Sequence, residues 1–285
     1  MTKRFIRLTA ALLLVACSKT PPPGEIHLVV EGWIENGGHP IVQLTETFPV
    51  EKDREITAGD LIGNLAKWAK VTVDDGDQVV TLTGMVDRTY FPPYVFTTGR
   101  MTGEVGKTYR LRVEYKDYVA TAETTIPAPV PLDTVYVASV RDSLCHVVCG
   151  FTDPPERGNC YKFFTRTTGI DSHYHPSALA QLEDSNMDGY TEIFLYSTQR
   201  LMDFMDLPNI HQDDELWVKM CTMDMVGYRF WDHFESMLVA NMFDAFYGTA
   251  LNANIHGALG YWIGYGVDKE VRLKLTAPED RPVER

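Results

Sequence analysis

The segment DSNMDGYTE (184–192) places oxygen-bearing residues at alternate positions, which is the spacing of a calcium-binding loop. Its candidate ligands are the side chains of Asp184, Asn186, Asp188 and Glu192 and the carbonyl of Tyr190. The twelfth position is Leu195, whereas an EF-hand ends on a bidentate Glu. An Asn/Asp/Gly turn ahead of the strand TEIFLYS explains the same residues without a metal. We therefore predict no cofactor, with calcium as the alternative.

Two histidines, His173 and His175, lie two residues apart in SHYHP (172–176). In an extended segment they would share a face and could bind a transition metal, but no third ligand is nearby in the sequence. A polar loop is the simpler interpretation. The sequence also lacks a G-x-S-x-G elbow, an H-E-x-x-H helix and a Walker loop. We therefore assign no catalytic residue and predict that the protein is not an enzyme.

Four cysteines follow the N-terminal segment: Cys145, Cys149, Cys160 and Cys221. Cys145 and Cys149 are four residues apart in a predicted strand, and so about 13 Å apart, which is too far for a disulfide. Cys149 with Cys160 across a hairpin stays open, and so does the disulfide state of all four. Buried free thiols are the preferred interpretation. No C-x-x-C pair is present, so neither a zinc knuckle nor a thioredoxin-type site is indicated.

The N-terminus is typical of a secreted lipoprotein. Lys3, Arg4 and Arg7 precede about nine apolar residues, which is too short for a membrane span of roughly 20 residues but suits a signal peptide. The sequence LVAC (14–17) resembles the lipobox of bacterial lipoproteins, in which the cysteine is lipidated and becomes the new N-terminus. We predict a signal peptide (1–16), lipid attachment at Cys17 and a proline-rich lipidated tether (17–24).

The charge of the chain argues against nucleic acid as a partner. Removing residues 1–16 takes away three basic and no acidic residues, which changes the net charge from −13 to −16. Binding to phosphate backbones depends on clustered Lys and Arg, so an acidic balance of this size disfavours it.

Most of the chain alternates apolar and polar residues with period two, which indicates half-buried strands. Examples are IHLVVEGW (26–33), AKVTVDDG (69–76), YRLRVEY (109–115), TVYVASV (134–140) and ELWVKMCTM (215–223). Phe230, Phe234, Leu238 and Met242 instead recur every four residues, which predicts an amphipathic helix packed on a sheet. The glycine-rich segment 252–275 is predicted to form a returning pair of strands.

We predict a mainly β fold. An Ig-like or transthyretin-like antiparallel sandwich (25–127) would be followed by a second β-rich domain (128–277) with one amphipathic helix near 228–243 and a C-terminal tail (278–285). The boundary lies in IPAPVPLD (126–133), because three prolines in eight residues suit neither a helix nor a central strand.

The ordered segments LVVEGWI, PIVQLTET, AKVTVDDG, GKTYRLRVEY, ATAETTIPAPVPLDTV and NIHGALGYWIGYG resemble domain-of-unknown-function family 4249, a family of outer-membrane lipoproteins. The resemblance covers nearly the whole chain after residue 16. Members are typically encoded beside TonB-dependent outer-membrane receptors, which implies an accessory role in nutrient uptake. The family has no established catalytic residues, so the resemblance assigns none here.

We therefore expect a non-catalytic, outer-membrane-anchored lipoprotein that is an accessory or binding partner of a TonB-dependent receptor. Its partners would be that receptor and, through the lipid anchor, the membrane. The periplasmic or surface face, the ligand and the interface residues are left open. The alternatives are a surface or periplasmic metal-dependent hydrolase and an adhesive or structural sandwich protein.

Overall fold

The structure is a computed structural model that describes residues 26–47, 57–141, 144–187, 189–195, 210–242 and 253–276. The predicted signal peptide, the lipidation site Cys17 and the tether lie outside the described residues, as do Asp188 and the predicted C-terminal tail (278–285). Among the described residues, no helix is long and apolar enough to cross a membrane.

The described residues form fifteen strands, two α-helices and a 3₁₀ turn at Asp184–Asn186. The helices are α1 (Ala58–Gly63) and α2 (Met225–Met242). The strands are β1 (Leu28–Glu35), β2 (Ile41–Glu46), β3 (Lys70–Asp74), β4 (Val79–Thr81), β5 (Thr83–Met85), β6 (Val95–Thr97), β7 (Thr108–Tyr115), β8 (Tyr118–Thr125), β9 (Leu132–Arg141), β10 (Leu144–Asp153), β11 (Cys160–Thr167), β12 (His175–Glu183), β13 (Gly189–Leu195), β14 (Glu215–Met223) and β15 (Leu259–Lys274).

One eight-stranded sheet, the main sheet, contains strands from both halves of the sequence in the order β12-β11-β14-β15-β1-β2-β6-β5. The central strand β15 is 16 residues long. Its first part pairs in parallel with β1, and its remaining part pairs antiparallel with β14. Strand β15 therefore joins the N-terminal and C-terminal strands into one sheet.

Two smaller sheets pack against the main sheet and bury two separate cores. The N-terminal sheet (β4-β3-β7-β8) encloses a core that includes Val30, Val73, Leu111 and Trp262. The C-terminal sheet (β13-β10-β9) encloses a core that includes Phe151, Phe163, Val218 and Met220. Each pair of sheets is a β-sandwich, because the alternating apolar residues of two facing sheets meet between them.

The opposite side of the main sheet, here called the outer face, carries α2. The helix packs against β11, β12 and β15, and it begins after Asp224, whose carboxylate accepts a hydrogen bond from the Gly227 N–H at 2.7 Å. Phe230 and Trp231 are buried in a third apolar cluster with Ile263. The predicted amphipathic helix is thus present, and it begins at Met225, three residues earlier than predicted. The side chains of Leu238 and Met242 lie outside the described part.

The mainly β, sandwich-type fold class is confirmed. Among the strands that the structure describes, β1 and β15 form the one parallel pair, and the other pairs are antiparallel. The predicted pair of strands in 252–275 is wrong, because residues 259–274 form a single strand. Glycine in this strand lets another backbone segment come close. At Gly266, a Cβ atom would lie 2.3 Å from the Pro127 carbonyl oxygen. Residues 126–131 form neither helix nor strand, but the domain limits stay predictions, since β15 serves both sandwiches.

Candidate ligand-binding site

A cavity of about 580 Å³ lies on the outer face of the main sheet. Strands β1, β2 and β6 contribute residues from the first half of the chain, and β11, β14, β15 and α2 contribute residues from the second half. Small-molecule sites commonly have volumes of roughly 300–1,000 Å³ and often form where separate structural units meet. The position and size of this cavity therefore make it the candidate functional site.

Strand alternation explains why these residues face the cavity. On β1, Val30 and Ile34 enter the sandwich core, so Trp33 and Glu35 point to the outer face. On β14, Val218 is in the C-terminal core and the next residue, Lys219, lines the cavity. These strand residues of the lining are thus neighbours in sequence of core residues, and the packing of the two cores holds this part of the cavity wall in place.

Seven Trp, Tyr and Phe side chains line the cavity. They are Trp33, Tyr90, Phe164, Tyr174, Trp231, Tyr261 and Tyr265. The rings of Trp33 and Tyr90 have centroids 5.9 Å apart, and the Trp231 Nε1 donates a hydrogen bond to the Tyr265 hydroxyl at 2.8 Å. Large flat side chains with few rotatable bonds give a rigid surface on which an apolar ligand body can lie.

An ion pair connects the two halves of the chain at the cavity. The Lys219 ammonium donates to the Glu35 carboxylate at 2.6 Å, and Lys219 is only 6% exposed. Burial alone would lower the pKa of Lys219, but its interactions with Cys221, Glu35 and Glu270 together outweigh burial and raise that pKa. Lys219 is therefore a charged, structural part of the wall.

Cations and aromatic rings alternate across the outer face, in an arrangement that we call the cation–aromatic ladder. Its members are Arg272, Trp217, Arg166, Tyr174, Lys219 and Phe164. The Arg166 guanidinium carbon lies 5.2 Å from the Trp217 ring centroid and 5.3 Å from that of Tyr174. Such contacts are favourable because the ring faces carry negative charge density. The ladder holds the side chain of Arg166 between two rings.

Arg166 differs from the other cations of the ladder in its partners. Arg272 is paired with Glu215, and Lys219 is paired with Glu35. Among the described residues, by contrast, no carboxylate lies within salt-bridge distance of Arg166. Its Nε is also buried without a hydrogen-bond acceptor. Arg166 therefore lines the cavity without a directly paired carboxylate, although both it and Glu270 act on the Tyr174 hydroxyl.

A second ion pair lies beneath α2. Lys162 is fully buried, donates to Glu235 at 2.6 Å and to the Ser177 carbonyl at 2.8 Å, and lies 5.1 Å from the Trp231 ring centroid. Burial lowers the pKa of Lys162, and Glu235 opposes that effect. The other carboxylate oxygen of Glu235, Oε2, is buried without a hydrogen-bond partner. This pair fixes α2, and with it Trp231, on the sheet.

The two histidines singled out in the sequence lie in the wall of the cavity. The imidazole rings of His173 and His175 have centroids 4.4 Å apart, and the Nε2 of His175 is 3.8 Å from an Asp171 carboxylate oxygen. Burial lowers the pKa of both histidines, more strongly than the nearby Asp171 raises it. Within the described ranges, no group of three or more His, Cys, Asp or Glu side chains could hold a metal ion.

The proposed calcium ligands make other contacts in the described part of the chain. The Asp184 carboxylate accepts from the Gly158 and Asn159 N–H groups at 2.7 and 2.9 Å. Glu192 accepts from the hydroxyls of Tyr190 and Tyr136. Asn186 ends the 3₁₀ turn, and Asp188 lies outside the described residues. Calcium binding here stays an untested alternative to the prediction of no cofactor.

Cys145, Cys149, Cys160 and Cys221 are all buried and free. Burial is the main reason that their thiol pKa values are raised, to about 12 for Cys160. These thiols therefore remain protonated at neutral pH and have little nucleophilic character.

Sequence reasoning missed Arg166, Lys219 and Glu35 as site residues. One signal was present: Lys162 and Lys219 each interrupt an otherwise apolar or aromatic run, CYKFF and WVKMC. A lysine in a buried strand needs a partner, but the sequence does not name it, because Glu35 is 184 residues away from Lys219.

Comparisons with known proteins bear on the family of the chain. Chicken interferon gamma receptor alpha chain is 8% identical, with 90% of this chain and 99% of that chain covered and a TM-score of 0.27. A two-domain fibronectin type-III segment of chicken tenascin is 11% identical, with 70% and 90% covered and a TM-score of 0.22. Likeness at these scores carries no conclusion about fold or function. The comparison with curated proteins found no match. The model of the family described as domain of unknown function DUF4249 matches residues 20–270, and the chain belongs to that family.

Proposed function

We propose that the protein is a non-catalytic ligand-binding lipoprotein of the outer membrane that acts as an accessory of a TonB-dependent receptor. The observation that carries the binding role is the aromatic-lined cavity of about 580 Å³ on the outer face of the main sheet. Its wall is built by strands from both halves of the chain and is held by two sandwich cores. A rigid, preformed concave surface of this kind suits binding, because little conformational entropy is lost when a ligand enters.

Anchoring is proposed from the N-terminal sequence. The segment LVAC ends at Cys17, the residue that a lipobox would lipidate, and the proline-rich stretch after it would separate the membrane from the first strand at Leu28. Two or more acyl chains give stable membrane attachment, whereas one gives only marginal binding. The pairing with a TonB-dependent receptor follows from the family resemblance.

The anchor is tested by replacing Cys17 with Ala, with Ser18→Ala as the matched control. We expect Cys17→Ala to prevent processing and lipidation, whereas Ser18→Ala should be processed and fractionate with the outer membrane. Labelling with radioactive palmitate would report the lipid directly. Normal processing and outer-membrane recovery of Cys17→Ala would reject the anchor.

The receptor partnership is tested by affinity purification of the native protein from detergent-solubilised membranes, followed by mass spectrometry. We expect a TonB-dependent receptor to co-elute in near-equal amount. Recovery of the protein alone, under conditions in which the outer-membrane fraction is well solubilised, would reject the partnership and favour the hydrolase and adhesive alternatives.

A further inference from the structure

We propose that the cavity binds a small organic carboxylate, with Arg166 receiving the carboxylate and the aromatic wall receiving the apolar body of the ligand. This inference rests on the proposed function, because it names the class of ligand that the binding site takes. It is carried by the partners of Arg166, by the geometry that holds its guanidinium and by the composition of the surrounding wall.

The charges around Arg166 favour an anionic ligand. The chain has a net charge of −13, so carboxylates are abundant, yet no described carboxylate pairs with Arg166. Its two neighbours in the ladder, Lys219 and Arg272, both have one. An arginine that lines a cavity and has no directly paired carboxylate is available to a ligand anion.

The position of the Arg166 guanidinium suits a carboxylate. The guanidinium of Arg166 lies between the rings of Trp217 and Tyr174, at 5.2 and 5.3 Å from their centroids. Contacts with two rings restrict the rotation of a long side chain that would otherwise lose entropy on binding. A held guanidinium offers parallel N–H donors that match the two oxygens of a carboxylate. This arrangement favours a carboxylate over a neutral hydrogen-bonding group.

The aromatic wall of the cavity indicates what the rest of the ligand would be. Trp33, Tyr90, Tyr261 and Trp231 line the same cavity as Arg166 and have few polar atoms to offer. An apolar or aromatic body would therefore be needed to fill the space, because a bare inorganic anion would leave these rings in contact with water. The exposed carboxylate of Glu270 is also part of the lining and should weaken anion binding, since like charges repel.

Matched acid and amide probes test the proposal. Isothermal titration calorimetry with the full-length protein purified in detergent would compare N-acetyl-L-tryptophan with N-acetyl-L-tryptophanamide, and 2-naphthoate with 2-naphthamide. We expect each acid to bind at least about tenfold more tightly than its amide and more weakly at higher salt. Equal affinity of acid and amide, or no binding of either pair at millimolar concentration, would overturn the proposal. Phenyl phosphate serves as a third probe, and its binding without binding of the acids would overturn it too.

Variants assign the effect to Arg166. Arg166→Gln should abolish the preference for the acids, and Arg166→Lys, which keeps the charge but loses the fork, should recover only part of it. The matched control is Arg110→Gln, because Arg110 lies on β7 in the N-terminal sheet, is paired with Glu123 and does not line the cavity. Glu270→Gln should raise acid affinity several-fold. Unchanged acid binding in a folded Arg166→Gln protein would overturn the proposal. If Arg166→Gln does not fold, Glu270→Gln is the test instead, and an unchanged affinity of that variant for the acids would overturn the proposal.

The two levels of proposal can fail separately. Tight binding of the amides, with no preference for the acids, would leave a ligand-binding lipoprotein standing and remove only the anion assignment. Binding of the acids without recovery of a receptor would leave the anion assignment standing and remove only the receptor partnership.

Discussion

The Lys219 ammonium reaches across β15 to the Glu35 carboxylate on β1, at 2.6 Å, and so joins residues that are 184 positions apart. Its side chain is 8% exposed and that of Glu35 is 26% exposed. The pair lies in the cavity wall, between the contributions of the two halves of the chain. The cavity therefore depends on a contact that neither half can make alone.

Replacing Lys219 with Met should lower the free energy of unfolding by about 1–3 kcal/mol, because Glu35 loses its partner in a partly buried site. Urea denaturation followed by circular dichroism would measure this. The control is Arg110→Met, which removes a cross-strand pair with Glu123 in which both side chains are more than half exposed. That variant should change stability little. Equal losses in the two variants would show that the buried position of Lys219 is not important.

Glu235→Leu should destabilise the protein by about 3–5 kcal/mol, because it leaves the buried Lys162 without a counterion. The double variant Lys162→Met with Glu235→Leu should recover most of that loss, since two apolar side chains of similar size can replace a buried pair. Thermal unfolding of the two variants and the wild type would compare them. A double variant no more stable than Glu235→Leu would contradict this explanation.

The stability of the protein should fall as the pH drops below the usual histidine pKa of 6.5. Burial lowers the pKa of His173 and His175 in the folded state, so the unfolded state binds more protons in the window below 6.5. The double variant His173→Asn with His175→Asn should show a smaller fall. Urea denaturation between pH 5 and 7.5 would measure both slopes, and equal slopes would reject the role of the two imidazoles.

The thiols of Cys145, Cys149, Cys160 and Cys221 should not react with a disulfide reagent such as DTNB while the protein is folded. All four are buried, and their raised pKa values leave little thiolate. In guanidinium chloride, a tether-free form should release four equivalents. Fast reaction of any thiol in the native protein, or fewer than four equivalents after unfolding, would contradict the structure.

The strands and the main helix could be predicted from the sequence because their signals are local. The period-two pattern of 109–115 corresponds to β7, and the four-residue spacing of Phe230 and Phe234 corresponds to α2. The pairing of β1 with β15 could not be predicted, because apolar alternation shows which face of a strand is buried but not which strand lies beside it.

The same limit applied to the candidate site. His173 and His175 stood out because they are two residues apart, and Asp184 stood out because other oxygen-bearing residues follow it at alternate positions; of these three residues, the two histidines line the cavity. Arg166, Lys219 and Glu35 are isolated polar residues in separate strands and come together only through the order of strands in the main sheet. Their roles depend on spacing in three dimensions, which single-sequence periodicity does not contain.

The position of β15 has a consequence for the order of events during biosynthesis. The first long strand to emerge, β1, has its parallel partner at residues 259–265, near the other end of the described chain. At about 5–20 residues per second, roughly 10–50 s pass between the synthesis of the two. Until then one edge of β1 has no partner, and an open strand edge can pair with other chains. We therefore expect the nascent protein to depend on a holding chaperone until β15 has been made.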